Sequence, residues 1–416
     1  MYNLGLNLIP NSIMNHTLPD EASARMKDLY NRSPFPEVMQ GKLPSNNVLL
    51  IHWIAASVGR DDIGKNGSRI LLAGCGSGEE ALTIGQLFPE AQIVGIDFSE
   101  VSIQKAKKLA EESGHQNLSF YTADLMIEAQ FNQFEPFDLI LCHGVADYVT
   151  NTEQLFKTIC QCLRPKGVLC MTVNSPNHPA ARIRTAFKRL GLDPLDFEDT
   201  AEQRKLLQLV DRLMANDSGL QGIAVAPKSY LDVDIFAPIA HHDSISLWAK
   251  RANEQGLNFA GSMDAVLGLT QVSDHELPFL YNLGKPALSV WMSNLCKRPG
   301  IQMLFTKQKI EEPDFFDLHS LMNWRPKLDS CLGALPELSG NPEDIKTLTI
   351  RFQGMPDFVI ETTAYDLELL RHCDGKSSLS EIISRIPEKG NLGKLISNLY
   401  RLYQYGLLGS CAAQTL

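Results

Sequence analysis

The sequence predicts an α/β fold built on a doubly wound parallel sheet, and three observations predict it. Short, continuous apolar runs recur at 70–73, 93–96, 118–121, 137–142 and 168–173. Stretches with helical spacing separate them. The first run breaks into a loop with glycines at 74, 76 and 78, and the second delivers Asp97. Strands that are apolar throughout, not alternating, are what a parallel sheet covered on both faces requires.

In chain order, residues 22–30 read as a helix that stops before the rigid Ser33-Pro34-Phe35-Pro36. That segment either lids a pocket or plugs the sheet edge. After the glycine loop comes a helix opened by Glu79 and Glu80. Ser99 to Ser113 forms the next helix, with Ile103, Ala106 and Ala110 on one face and Gly114 ending it. Leu155, Phe156, Ile159 and Leu163 give a further helix its buried stripe, and Arg164-Pro165-Lys166-Gly167 is the turn into the fifth strand. A basic helix follows, with Arg182, Arg184, Lys188 and Arg189 expected on a solvated face. Residues 200–330 read as mostly helical, with strand-like fragments near Phe259 and Val266. Residues 328–344 read as a linker. In the tail Ser378 and Glu381 make a capping box, and residues 392–403 carry an apolar stripe. The expected division is a helical cap at 1–45, the sheet domain at 46–178, a mainly helical middle domain at 179–330, and a small winged-helix-like module at 345–416.

Composition bounds the function. The 416 residues suffice for roughly two to three domains. A hydrophobic content of 44% with 21% charged residues is ordinary for a globular chain. A formal charge of −10 argues against a nucleic-acid binder. No apolar run approaches the ~20 residues of a membrane helix, so no membrane partner and a cytoplasmic location are expected. The nine cysteines contain no CxxC pair; Cys160, Cys162 and Cys170 read as small core residues, and adjacent His241 and His242 point different ways on a regular element. No metal site is expected.

The loop's exit selects the ligand. A dinucleotide needs bare helix-N-terminal amides for its pyrophosphate, and Glu79 and Glu80 would repel it. They tolerate S-adenosylmethionine, whose sulfonium and ammonium outweigh its one carboxylate. Asp97, at a strand end, can accept both ribose hydroxyls. By the strand-end rule the crevice lies where the ends of the runs converge. The residues expected to bind the cofactor are Gly74, Cys75, Gly76, Gly78, Glu79, Asp97, Phe98, Ala123, Asp124, Leu125, Cys142 and His143. Methyl transfer needs alignment in a dry pocket and a base only where the nucleophile must lose a proton. Tyr30, His143, Asp147 and Tyr148 are the catalytic candidates, with Asn174 beside them; a packing or capping role is at least as strong a reading for each.

Residues 69–175 resemble a class I S-adenosylmethionine-dependent methyltransferase domain. Gly74-Cys75-Gly76-Ser77-Gly78 matches the glycine motif of that family, and Asp97 its ribose-binding acid. Ala123-Asp124 matches the pair that contacts adenine, and Leu163 to Gly167 the post-helix turn. The family often has an acid where this chain has Leu72, a role that Glu79 or Glu80 then fills. The Ile70 to Ala81 and Asp97 to Ser102 stretches are similar to a bacterial subset with an added methyltransferase regulatory domain, some members of which methylate protein lysines; residues 241–262 faintly resemble that added region. The resemblance implies a Rossmann-like fold and an enzyme. A peptide or protein side-chain nitrogen is the first expectation for the acceptor. A small-molecule N- or O-methyltransferase is the second, and a cofactor-binding regulator without turnover the third. Homodimerisation is one use open to the added regions.

Overall fold

The computed structural model describes residues 19–32, 51, 54, 57–60, 62–65, 67–193, 197, 199–213, 225–226, 228–328, 346–350, 358–386 and 390–410. The Ser33 to Pro36 segment, the expected linker at 329–344, Cys331 and Cys411 lie outside the described residues.

Seven strands form one sheet: β1 (Arg69–Ala73), β2 (Gln92–Asp97), β3 (Leu118–Thr122), β4 (Phe137–His143), β5 (Leu163–Asn174), β6 (Asn258–Ser262) and β7 (Gly300–Thr306). Their order is β3-β2-β1-β4-β5-β7-β6. The first five pair in parallel, and β7 runs antiparallel to both β5 and β6. The chain order reverses on either side of β1, which opens a crevice at the carboxyl ends of β1 and β4.

Side chains alternate across β1. Ile70 and Leu72 join one core with Ile84, Ile103 and Ala106, while Leu71 and Ala73 join another with Phe156, Trp248 and Phe305. Both faces are therefore dry, which is why the strands read as continuous apolar runs.

Three expectations are corrected here. The division at 178/179 placed β6 and β7 outside the sheet, yet β7 pairs with β5 along its whole length, from Val168↔Thr306 to Asn174↔Gly300. The middle region is thus not a mainly helical domain of its own, because part of it closes the sheet. The strand-like fragment at Val266 is instead the helix Met263–Leu269, which packs on the helix Lys285–Cys296. The turn expected at 164–167 is also drawn into β5: Leu163 pairs with Phe137, and the register then shifts so that Val168 meets Leu139.

The described tail residues hold an antiparallel pair, β9 (Lys346–Ile350) with β10 (Phe358–Thr362), and the helices Ala364–Arg371, Leu379–Arg385 and Leu392–Gln404. The capping box of Ser378 and Glu381 has both halves formed, and Thr363 with Asp366 makes a second. The last strand, β11 (Leu408–Ser410), pairs with β8 (Pro326–Leu328), upstream of the expected linker. No helix among the described residues is long and apolar enough to cross a membrane.

Candidate active site

The glycine loop is shaped by backbone conformation. Gly74 has φ 83° and Gly78 φ 86°, the left-handed region that glycine alone enters without cost. A Cβ on Gly74 would lie 2.3 Å from Val145 Cγ2, and one on Gly78 2.7 Å from Ala106 Cβ. The amides of Gly74 and Cys75 both donate to the Ile96 carbonyl, at 2.9 and 2.7 Å. These bonds lay the loop across the end of β2, where Asp97 stands. The Asp97 carboxylate accepts from Gly76 N at 3.0 Å and Ser99 N at 2.9 Å. Burial raises its pKa, and those amides act the other way. Each carboxylate oxygen keeps a further lone pair for a hydroxyl. A bare glycine cradle beside a held acid fits a ribose and an amino-acid tail, so these residues suit the expected cofactor.

Around that centre the other expected residues divide. The Ala123 amide donates to the Asp97 carbonyl at 3.0 Å, and Asp124 accepts from Met126 N at 2.9 Å, so both stand at the end of β3 beside the crevice; Leu125 next to them is buried. The Phe98 ring meets Tyr30 edge-on, 5.7 Å between centroids. Asn31 accepts a 2.7 Å bond from the Ser99 hydroxyl, which docks the helix Pro19–Arg32 against the same corner. Glu79 is part-exposed, and burial raises its carboxyl. Cys142, however, is fully buried among the core of the opposite face, where burial pushes its thiol up to about 12. Its side chain packs, and its backbone is what remains for a ligand.

His143, expected at the cofactor and among the catalytic candidates, is held from two sides. Its Nδ1 lies 2.7 Å from Glu80 Oε1, and its Nε2 lies 3.6 Å from Cys170 Sγ. Burial is the largest influence and opposes the imidazolium, but the Glu80 carboxylate and Cys170 together outweigh it and hold the ring's pKa well above the ordinary value. Both nitrogens are engaged inside the chain. Glu80 is correspondingly spent on His143, so the negative charge facing the loop falls to Glu79.

The remaining candidates meet in one buried polar cluster. Tyr148 donates its hydroxyl to Asp234 Oδ1; Asn174 Nδ2 reaches Tyr148 Oη at 3.1 Å and Asp234 Oδ1 at 3.2 Å. Asn174 N donates to Asp147 Oδ2 at 2.7 Å, while Asp147 Oδ1 is buried with no hydrogen-bond partner among the described residues. Tyr30 joins them: burial, then the charges of Asp234, Asp97 and Asp147, raise its phenol. Tyr30 is therefore within electrostatic reach of both the acid of the cofactor corner and the acids of the cluster. His178 and Tyr230 also feel the charge of Asp234, and the His178 ring stacks on His242 at 6.2 Å.

Asp234, His178, Tyr230 and His242 carry no mark in the sequence that points to the site. Arg184 was placed on a solvated face, and the structure corrects this: its Nη1 donates to the carbonyls of Ile235 and Ala237, both at 2.8 Å. His241 and His242 serve the same wall. His241 N donates to the Asp147 carbonyl at 2.7 Å, and burial lowers the His242 pKa to about 4.

Burial raises the Asp147 carboxyl well above its ordinary range; the Asn174 amide acts against this, and the Asp234 and Asp243 charges add to it. A carboxyl whose pKa is higher folded than unfolded favours the fold below its ordinary value of about 3.9 and ceases to do so as pH rises through the raised one. Asp147→Asn should therefore melt higher than the parent at pH 8, with the gap closing toward pH 4. A gap that does not change with pH in thermal scans would contradict this burden.

Compared with family models, residues 64–212 match a family described as a methyltransferase domain. Residues 64–212 are a class I S-adenosylmethionine-dependent methyltransferase domain. S-adenosylmethionine is its cofactor, and β6 and β7 extend its sheet beyond the matched span. Over 150 residues the chain is 28% identical to the uncharacterized protein RP789 of Rickettsia prowazekii, covering 35% of this chain and 27% of that protein. It is 30% identical over 113 residues to trans-aconitate 2-methyltransferase of Yersinia pseudotuberculosis, covering 26% and 41%. With the ubiquinone biosynthesis O-methyltransferase of Leptothrix cholodnii it is 28% identical over 153 residues, covering 36% and 62%. The chain thus spans less than two thirds of the length of each of these relatives. The solved structure of PKMT2 from Rickettsia typhi has the same fold at a TM-score of 0.53 and 16% identity, over 88% of this chain and 76% of that one. Its complex with AdoHcy superposes at 0.50 and 17% identity, over 87% and 75%.

Proposed function

We propose that the chain transfers a methyl group from S-adenosylmethionine to a nitrogen of a cationic peptide or protein side chain. The observation that carries this reading is the pair of buried carboxylates, Asp147 and Asp234, beside the cofactor corner. Buried charges are costly unless paired, and a cationic acceptor supplies the missing partner. A carboxylate acceptor would meet like charges there. The polypeptide part of the reading rests on the likeness to PKMT2, which runs over 88% of the chain and so takes in residues beyond the matched domain.

A small-molecule acceptor is the second reading, favoured by relatives named for trans-aconitate and for ubiquinone biosynthesis. A regulator without turnover predicts cofactor binding and no transfer. The test is incubation of the full chain with methyl-tritiated cofactor and lysine-containing peptides. Label that survives alkaline hydrolysis on a side-chain nitrogen supports the proposal. Label released by mild base, as from a methyl ester, or transferred only to small molecules, contradicts it.

A further inference from the structure

An ammonium nitrogen has no lone pair to offer. A lysine-type amine, with a pKa of about 10.4, arrives almost wholly protonated at neutral pH, so some group must take its proton. His143 is engaged at both nitrogens. The Tyr30 and Tyr148 phenols are raised by burial first and by Asp234 next, so they hold their protons. Asp147 holds a backbone amide at Oδ2 and is only 1% exposed against 9% for Asp234, so a proton taken there has the poorer way out.

Asp234 is placed differently. It sits in a π-helical turn, Leu231–Ile235, closed by the Phe236 amide on the Leu231 carbonyl at 2.9 Å. Such turns concentrate at functional sites. Arg184 pins the chain immediately after it through the Ile235 and Ala237 carbonyls. Both Tyr148 and Asn174 donate to the same oxygen, Oδ1. Oδ2 is the oxygen they leave. The buried Asp147 Oδ1 has no partner among the described residues, and its carboxyl feels the charge of Asp234, an independent sign that a cation belongs beside the two.

Resting on the N-methylation reading, we propose that Asp234 takes the proton from the incoming ammonium, with Tyr148, Asn174 and Arg184 as positioning residues. The N–H bond breaks, the proton bonds to the Asp234 carboxylate, and the electron pair stays on nitrogen. The bound cofactor supplies the methyl group, which that pair captures as the methyl–sulfur bond breaks with its electrons onto sulfur. Half-buried His178, in the field of Asp234, then carries the proton toward solvent. The groups facing Asp234 are Tyr30, Asp147, Tyr148, His178 and Tyr230. Burial lifts its carboxyl, and the Tyr148 and Asn174 bonds and His178 moderate the rise. A lifted carboxyl is a better proton acceptor.

The test compares the full chain with Asp234→Asn and Asp234→Glu. Asp234→Asn should lower kcat for a lysine peptide at pH 7 by about 10²–10⁴-fold. Its rate should climb again as pH approaches the amine's own pKa, and Asp234→Glu should restore part of it. AdoHcy affinity should be unchanged in both. Without cofactor, tetramethylammonium, a cation with no proton to give, should bind Asp234→Asn about tenfold more weakly, as for one lost charge contact. An Asp234→Asn variant with the parent's rate and pH profile on an amine overturns the assignment of Asp234 and leaves the N-methylation reading standing. Transfer by the parent chain to hydroxyl or carboxylate acceptors alone overturns both. If Asp234→Asn fails to bind AdoHcy, the parent's tetramethylammonium affinity decides: it must weaken as pH falls and Asp234 protonates, and a flat affinity overturns the proposal.

Discussion

Asp97→Ala weakens S-adenosylhomocysteine binding by about 2–3 kcal/mol, about 30- to 160-fold. Two losses add. The ribose hydroxyls lose a charged acceptor, and the amides of Gly76 and Ser99 lose the carboxylate that holds the glycine loop against β2. Asp97→Asn keeps one acceptor oxygen and should fall between the two. Calorimetry on the folded variants measures this directly, and an unchanged affinity for Asp97→Ala would remove Asp97 from the cofactor site.

Deleting residues 392–410 abolishes folding of the remainder. The sequence places this helix in a separate small module, but its apolar stripe packs on Tyr281, Phe315 and Trp324, in a core continuous with that of Ile70 and Leu72. Leu395, Leu399, Tyr400, Leu402 and Tyr403 are each at most 2% exposed. At about 1.5–3 kcal/mol for each large buried side chain, their sum matches the 5–15 kcal/mol that holds a typical domain folded. Polar ties add to it. Tyr400 Oη donates to the Leu280 carbonyl at 2.8 Å, and Arg401 donates to the carbonyls of Leu269 and Val272 at 3.1 and 2.6 Å. The deletion would leave those carbonyls and the strand β8 uncovered. Recovery of a soluble, cooperatively melting chain that binds AdoHcy would contradict the integral role of this helix.

The parts of the fold that sequence reasoning reached are those where local signals and tertiary burial agree. β1 to β5 are apolar throughout because both faces are covered, and Gly74 and Gly78 occupy conformations that only glycine accepts cheaply. β7 was missed because Ile301 to Phe305 is too short a run to tell from a buried helix segment; its partner β5 decides the matter. Val266 shows the reverse, a β-branched residue overridden by packing.

At the site, strand ends and aromatic context single out Tyr30, Asp147 and Tyr148, and the three lie within electrostatic reach of one another. They miss Asp234, because Leu231-Asp232-Val233-Asp234-Ile235 carries no local mark of a π turn. Its burial arises only when Tyr148 and Asn174 arrive from the distant ends of β4 and β5. The same distance hid the Glu80–His143 pair. The loop at 74–78 still names the cofactor, but half of the acidic charge first credited to it belongs to an internal ion pair.

The most direct measurement is a crystal structure of the full chain with S-adenosylhomocysteine bound. The ribose hydroxyls should lie on Asp97, and the sulfur should face the cluster of Tyr30, Tyr148 and Asp234. A ribose held elsewhere, or a sulfur turned away from that cluster, would contradict the account.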